Sequence, residues 1–121
     1  MEKKEDLRIT KTKKLLYEAL LKEMETKAFE DIKVNDLCTI SMINRSTFYS
    51  HYNDKYDLFV DLLNTLKKEL FDKLDENKFI VSTKEYYMEL IRLLLDHLEE
   101  HKKTYYSIIL SNRNSLVIDI I

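Results

Sequence analysis

The chain has 121 residues, contains neither glycine nor proline, and carries a formal net charge of −2. This length supports one modest core, and without the residues that favour hairpins the chain is predicted to be all-α. The near-neutral charge excludes a general attraction to nucleic acid or acidic lipid, so such binding requires a local patch. Cys38, the single cysteine, excludes an internal disulfide framework and a cysteine-based zinc site. With no signal-peptide pattern or membrane-spanning run, we expect a cytoplasmic protein without membrane contact.

The first predicted helix begins after Thr10 and ends near Lys27. Its apolar residues near one face are Ile9, Leu16, Ala19, Leu20 and Met24. Phe29 is expected to close that face from the following turn. Residues 1–14 hold six basic and three acidic side chains, which predicts a flexible basic arm that reaches a nucleic-acid backbone or minor groove.

A short second helix is predicted over 34–40, with Lys33 at a start where it cannot cap as serine or threonine would. Asn44 is a good N-cap for a third helix from Arg45 to about Tyr52. The fourth begins at Asp54 with a capping-box arrangement and continues to about residue 77. Two more helices are predicted over 83–100 and 102–111. The apolar final segment "LVIDII" is unassigned. A run this apolar indicates either a docked terminal strand or helix or a chain cut short, and we favour the cut chain.

Residues 37–53 contain no carboxylate, although the chain has 22. Two short helices joined by "SMIN" behind a longer one are typical of a helix-turn-helix unit. On a helical wheel Phe48 and Tyr52 face the core with Ile43. The opposite arc carries hydroxyls and a cation, which suit phosphates and base edges: Arg45, Ser46, Thr47, Tyr49, Ser50 and His51. Any amphipathic helix has a polar face, so a helical protein-interaction module that does not bind DNA is the alternative.

Residues 12–59 resemble the DNA-binding domain of the tetracycline-repressor (TetR/AcrR) family of transcriptional regulators. The residues that carry the resemblance are Ala19, Phe29, Val34, Asp36, Leu37, Thr47, Phe48, Tyr49, His51, Tyr52 and Lys55. Two positions depart from the family pattern. Met42 occupies the turn where the family usually has glycine, and Lys33 replaces a small threonine or serine. Met42 therefore raises a question about the turn, since a side chain disfavours positive φ.

The resemblance implies a three-helix helix-turn-helix DNA-binding domain over 1–57, joined through a long fourth helix to a truncated helical regulatory and dimerisation domain over 58–121. It implies a homodimeric repressor that binds double-stranded DNA at a palindromic operator and responds to a small-molecule effector. It implies no enzymatic activity and no cofactor. The DNA contacts expected from it are Lys33, Arg45, Ser46, Thr47, Tyr49, Ser50, His51 and Lys55, with Lys55 and the start of the fourth helix at phosphates.

The second half carries one motif of another class, "HLEEH" at 97–101. It fits the H-x-x-E-H pattern of zinc peptidases, with His97, Glu100 and His101 as the candidates. A catalytic zinc needs a third protein ligand; none stands out in the 20 residues that follow, and a ligand upstream of the motif is left open. The simpler interpretation is a solvated helix junction, and no metal site is assigned. We expect the aromatic and aliphatic residues spaced along 71–109 to form core rather than a ligand cavity.

Overall fold

The computed structural model describes residues 2–75 and 82–112. Within these ranges the chain is all-helical, as predicted. The helices are α1 (Glu2–Met24), α2 (Val34–Ser41), α3 (Arg45–His51), α4 (Lys55–Asp75), α5 (Thr83–Glu100) and α6 (Lys102–Asn112), with a 3-10 turn at Phe29–Asp31. The bounds of α2, α3, α5 and α6 lie within one residue of the predicted ones. Phe79 and the segment "LVIDII" lie outside the described residues.

The first helix is longer than predicted. Helix α1 already begins at Glu2, so the prediction of a flexible basic arm over 1–14 is wrong for residues 2–14. The physical reason is that these residues include several strong helix formers and neither glycine nor proline to interrupt them. Lysines 4, 11 and 14 are exposed on this helix, so the basic charge is retained on a rigid element.

One apolar cluster joins α1, the 3-10 turn, α2, α3 and the first half of α4. Its buried members are Leu16, Ala19, Leu20, Met24, Phe29, Ile32, Leu37, Cys38, Phe48, Tyr52, Leu58, Phe59, Leu62 and Leu66. The prediction that Ile9 lies near the buried face is wrong, because the early turns of α1 extend beyond this cluster and leave Ile9 39% exposed. Phe29 closes the cluster from the turn, as predicted, with its ring 5.0 Å from that of Phe59.

Helices α5 and α6 return along the other elements. Helix α5 packs against α4, and α6 packs against α1. The Ser111 hydroxyl of α6 donates to the carbonyl of Lys27, in the turn after α1, at 2.9 Å. Tyr105 and Ile108 of α6 reach the apolar cluster. Over the described ranges, no helix is both long and apolar enough to cross a membrane.

The prediction that the apolar residues of the second half form core is wrong for most of them. Phe71, Tyr86, Tyr87, Ile91, Leu94, Tyr106 and Ile109 are all exposed. In α5 the buried positions are Leu93 and His97, on the side that faces its neighbours. Only α4 and α6 make substantial contacts with α5, so its opposite side is uncovered in the described structure.

Candidate DNA-binding surface

The turn between α2 and α3 sets the angle at which α3 leaves the core. Met42 adopts the left-handed conformation, with φ 61° and ψ 30°. Its amide and that of Ile43 return to the Cys38 carbonyl, which closes the end of α2. Met42 is 89% exposed, so its side chain is not crowded by the core. The cost of the left-handed conformation comes from the close approach of its Cβ to the following carbonyl oxygen. A methionine therefore occupies a turn that favours glycine, the conflict raised by the sequence.

Helix α3 is held by its two buried aromatic residues. Phe48 is 0% and Tyr52 5% exposed, with ring centroids 5.7 Å apart, which confirms the prediction that both face the core. Ile43 packs against the same cluster from the turn. The amide of Tyr52 donates to the Phe48 carbonyl at 2.9 Å and ends the helix. These anchors fix the rotation of α3 about its axis, so its opposite side must face outward.

The outward side of α3 carries a cation and hydroxyls but no carboxylate. Arg45, Ser46, Tyr49 and Ser50 are exposed, while Thr47 and His51 are half-buried at the edges. The Arg45 guanidinium lies 5.8 Å from the centre of the Tyr49 ring, which gives both side chains a defined direction. The Ser50 hydroxyl donates to the Thr47 carbonyl at 2.6 Å and retains lone pairs for a further donor.

Lys33 lies at the entry to α2. It is the N-cap residue, with extended backbone angles, and its side chain makes no capping hydrogen bond. The side chain is exposed. Lys33 itself thus offers no side-chain acceptor to the first amides of α2, but it provides an ammonium beside the positive end of the helix dipole, a combination that suits an anion.

Lys55 is not arranged as an available phosphate ligand. Its ammonium donates to the carbonyls of Phe29, Glu30 and Ile32 at 2.7, 2.9 and 2.9 Å. Burial lowers the pKa of Lys55, with Asp31 and Glu30 acting in the opposite direction. Because all three ammonium protons have acceptors, the geometry assigns Lys55 to holding the 3-10 turn against α4 and argues against the phosphate contact expected from the sequence.

The start of α4 is also less suited to a phosphate than the sequence suggested. The Asp54 carboxylate accepts from the Asp57 amide at 2.9 Å, and the Asp57 carboxylate accepts from the Asn53 amide at 2.9 Å. This confirms the predicted capping arrangement of Asp54 and Asp57. It differs from an ideal capping box in one respect: the Asp57 carboxylate accepts from the amide of Asn53 and not from that of Asp54. Two carboxylates already occupy amides that an anion would need, and both repel it.

A carboxylate junction behind α3 was not found from the sequence. One oxygen of Asp61 in α4, Oδ2, accepts from the hydroxyls of Tyr17 and Tyr52, each at 2.6 Å. The ammonium of Lys13 lies 3.9 Å from the same oxygen. Burial acts to raise the pKa of Asp61, but the two hydroxyl donors and Lys13 outweigh it and hold this pKa below its usual range. This Asp61 junction ties the end of α3 to both α1 and α4.

The H-x-x-E-H segment does not form the arrangement of a zinc peptidase. His97 lies in the last turn of α5 and His101 is the C-cap residue of the same helix, and their ring centroids are 4.7 Å apart. Glu100 instead pairs with Lys73 of α4 at 2.8 Å and is largely exposed. The acidic side chain beside the two imidazoles is Glu69 of α4, which lies upstream of the motif.

Comparison with known proteins gives one informative similarity. An uncharacterized HTH-type transcriptional regulator of Bacillus subtilis strain 168, YxbF, is 32% identical over 74 residues. The match covers 60% of this chain but only 20% of that protein, so the matched segment spans about a fifth of the relative's length. No protein-family model matches the chain. No solved structure matches it. The name of this relative describes a transcription regulator of the helix-turn-helix type, which is the unit that the sequence pattern of α2 and α3 predicts.

Proposed function

We propose that this chain is the DNA-binding part of a transcription regulator of the TetR/AcrR type, in which α3 enters the major groove of double-stranded DNA. The observation that carries the proposal is the anion-free outer side of α3, turned outward by the burial of Phe48 and Tyr52. A major groove admits one helix, and phosphates flank it on both sides. A surface with a guanidinium, hydroxyls and an imidazole suits both kinds of contact.

The side chains have different proposed roles. Arg45 and Tyr49, which are exposed and contact each other, reach base edges or phosphates. Ser46 and Ser50 read bases through short polar contacts. Thr47 and His51, half-buried at the edges, donate to phosphates. Lys33 supplies an ionic phosphate contact at the start of α2. Lys55 is left out of this set because its ammonium is engaged by three carbonyls.

We further propose that the regulator is a cytoplasmic repressor that binds a palindromic operator as a homodimer and releases it when a small molecule binds. In this scheme residues 1–57 hold the DNA, and residues 58–121 belong to the regulatory and dimerisation part. A ligand can act only through different affinities for the two states of the protein. Helix α4, which runs from the Asp61 junction to the contacts with α5, is the element through which such a change would reach α3.

The test is a fluorescence-anisotropy titration of the folded chain against duplex DNA from the region upstream of its own gene, repeated over a range of salt concentrations. Lys33→Ala is expected to weaken binding and to reduce the slope of log K against log salt by about 1. Lys84→Ala removes an exposed lysine from α5 and is the matched control. Arg45→Ala is expected to weaken operator binding more than binding to random duplex if Arg45 reads a base.

An absence of salt-sensitive binding to any such duplex by wild-type protein would refute the proposal. Equal effects of Lys33→Ala and Lys84→Ala would refute the placement of Lys33 at a phosphate. A helical protein-interaction module is then the second candidate, and the exposed apolar side of α5, with Tyr87, Met88, Ile91 and Leu95, favours it. That module predicts loss of a protein partner, with no change in DNA affinity, on Ile91→Asp.

A further inference from the structure

Three metal-ligating side chains meet between α4 and α5. One donor atom from each of Glu69, His97 and His101 lies within 4.8 Å of the others. The four-residue spacing of the histidines places both imidazoles on the same side of the C-terminal end of α5, where His101 is the C-cap residue, and Glu69 reaches them from the neighbouring helix α4. The third donor, Glu69, therefore comes from α4 and meets the histidines only because α4 and α5 pack together. It lies outside the H-x-x-E-H motif, so the motif alone does not identify it.

The environment of His97 resembles that of a metal-bound histidine. The residue is 1% exposed, and its Nε2 lies 2.7 Å from the Tyr105 hydroxyl. Its Nδ1 is buried and has no hydrogen-bond partner among the described residues. Ligating histidines usually engage their second ring nitrogen in a hydrogen bond that fixes the tautomer. If Nε2–H donates to the Tyr105 hydroxyl, Nδ1 carries a lone pair that is available to bind a metal ion.

His101 and Glu69 are spaced as two ligands of one ion. Nε2 of His101 lies 2.8 Å from Oε2 of Glu69, yet within the described part of the chain this buried nitrogen makes no hydrogen bond of acceptable geometry. Ligands of a tetrahedral zinc ion are about 3.3 Å apart, given bonds of roughly 2.0–2.1 Å. The donor atoms are at most 4.8 Å apart in the structure. Side-chain rotations that shorten this distance by about 1.5 Å would bring all three donors to the spacing of zinc ligands. The nearby Lys73 ammonium is paired with Glu100 at 2.8 Å.

We propose that Glu69, His97 and His101 bind a divalent transition-metal ion of the zinc class, with Tyr105 orienting the His97 ring. Two imidazoles, one carboxylate and an open fourth position form a ligand set that zinc accepts and that magnesium and calcium do not favour. The site revises the sequence prediction of no metal, and it uses Glu69 where the H-x-x-E-H pattern would use Glu100. It does not depend on the proposed DNA binding.

The test is a calorimetric titration of the 121-residue chain with Zn²⁺, with Mg²⁺ in parallel and Co²⁺ as a spectroscopic probe. We expect saturation at one Zn²⁺ per chain, negligible Mg²⁺ binding, and visible Co²⁺ bands of a four-coordinate site. Glu69→Gln should weaken Zn²⁺ binding by at least about 100-fold, and Tyr105→Phe by about 10- to 100-fold. Glu100→Gln is the matched control and should leave the affinity unchanged.

Glu69 is only partly buried, so its variant is expected to fold, which circular dichroism verifies. His97→Ala is a poorer test because it opens a buried cavity. A folded wild-type chain that does not bind Zn²⁺ saturably overturns the proposal, since the cluster is then an ordinary ion pair beside a buried histidine. Equal Zn²⁺ affinities of wild type and Glu69→Gln, or loss of binding in Glu100→Gln alone, also overturn it.

Discussion

Replacing Lys55 by methionine should destabilise the fold. The change removes an ammonium that donates to the carbonyls of Phe29, Glu30 and Ile32 at 2.7, 2.9 and 2.9 Å, while an unbranched apolar side chain remains. The bonds to Phe29 and Ile32 are partly buried, and that to Glu30 is exposed. A hydrogen bond to a charged group contributes about 1.5–3 kcal/mol. Counting the two partly buried bonds at the lower bound gives a loss of about 3 kcal/mol.

The assay is urea unfolding followed by circular dichroism, with a thermal scan beside it. For a domain of this size a loss of about 3 kcal/mol lowers Tm by roughly 10 °C. Lys84→Met is the matched control, because this exposed lysine of α5 is expected to contribute within about 0.5 kcal/mol. DNA affinity of Lys55→Met is measured well below its Tm, where the variant and the wild type are equally folded.

Two results would contradict the reasoning on Lys55. If the free energy of unfolding of Lys55→Met lies within about 0.5 kcal/mol of the wild-type value, the three carbonyl bonds do not stabilise the fold. If the salt dependence of DNA binding also falls by about 1, Lys55 contacts a phosphate, as the sequence suggested. A stability loss with an unchanged salt slope is the expected outcome.

Substitutions at three further positions test the packing around α3. Asp61→Asn should cost about 1–3 kcal/mol at neutral pH in urea unfolding. Since hydrogen bonds hold the pKa of Asp61 below its usual value against the effect of burial, this difference should be full above about pH 4 and vanish as the pH falls through the lowered pKa. Met42→Gly should stabilise by about 0.5–1 kcal/mol, because relief of left-handed strain exceeds the added backbone entropy, whereas Met42→Ala should change little. Phe48→Ala should cost about 3–5 kcal/mol and abolish the helical signal if the fold is less stable than that.

The local pattern of the sequence predicts the helices and the orientation of α3 well. Without glycine or proline, helix ends depend on polar caps and on changes in apolar periodicity, and those signals lie within a few residues of each end. The inward positions of Phe48 and Tyr52 follow from their four-residue spacing alone. The start of α1 was mispredicted because a basic, polar segment can be a solvated helix as readily as a flexible arm.

Local sequence patterns do not predict contacts between residues that are far apart in the sequence. Lys55 resembles a phosphate ligand in sequence, and only the folded chain shows three carbonyls around its ammonium. Likewise, nothing near Tyr52 in the sequence indicates that Asp61 accepts from both Tyr52 and Tyr17. Glu69 joins His97 and His101 for the same reason, because two helices must pack before the three donors meet.

The shared oxygen of Asp61 limits how the protein can move. Two hydroxyls, one from α1 and one from the end of α3, converge on a single atom of α4, so sliding any of these helices past the others breaks at least one short bond. Small tilts of the whole group about a more distant point leave both bonds intact. We therefore expect α3 to move as a rigid body, with the arrangement of its outer side chains unchanged. On the proposed function, DNA affinity would then be controlled by the position of α3.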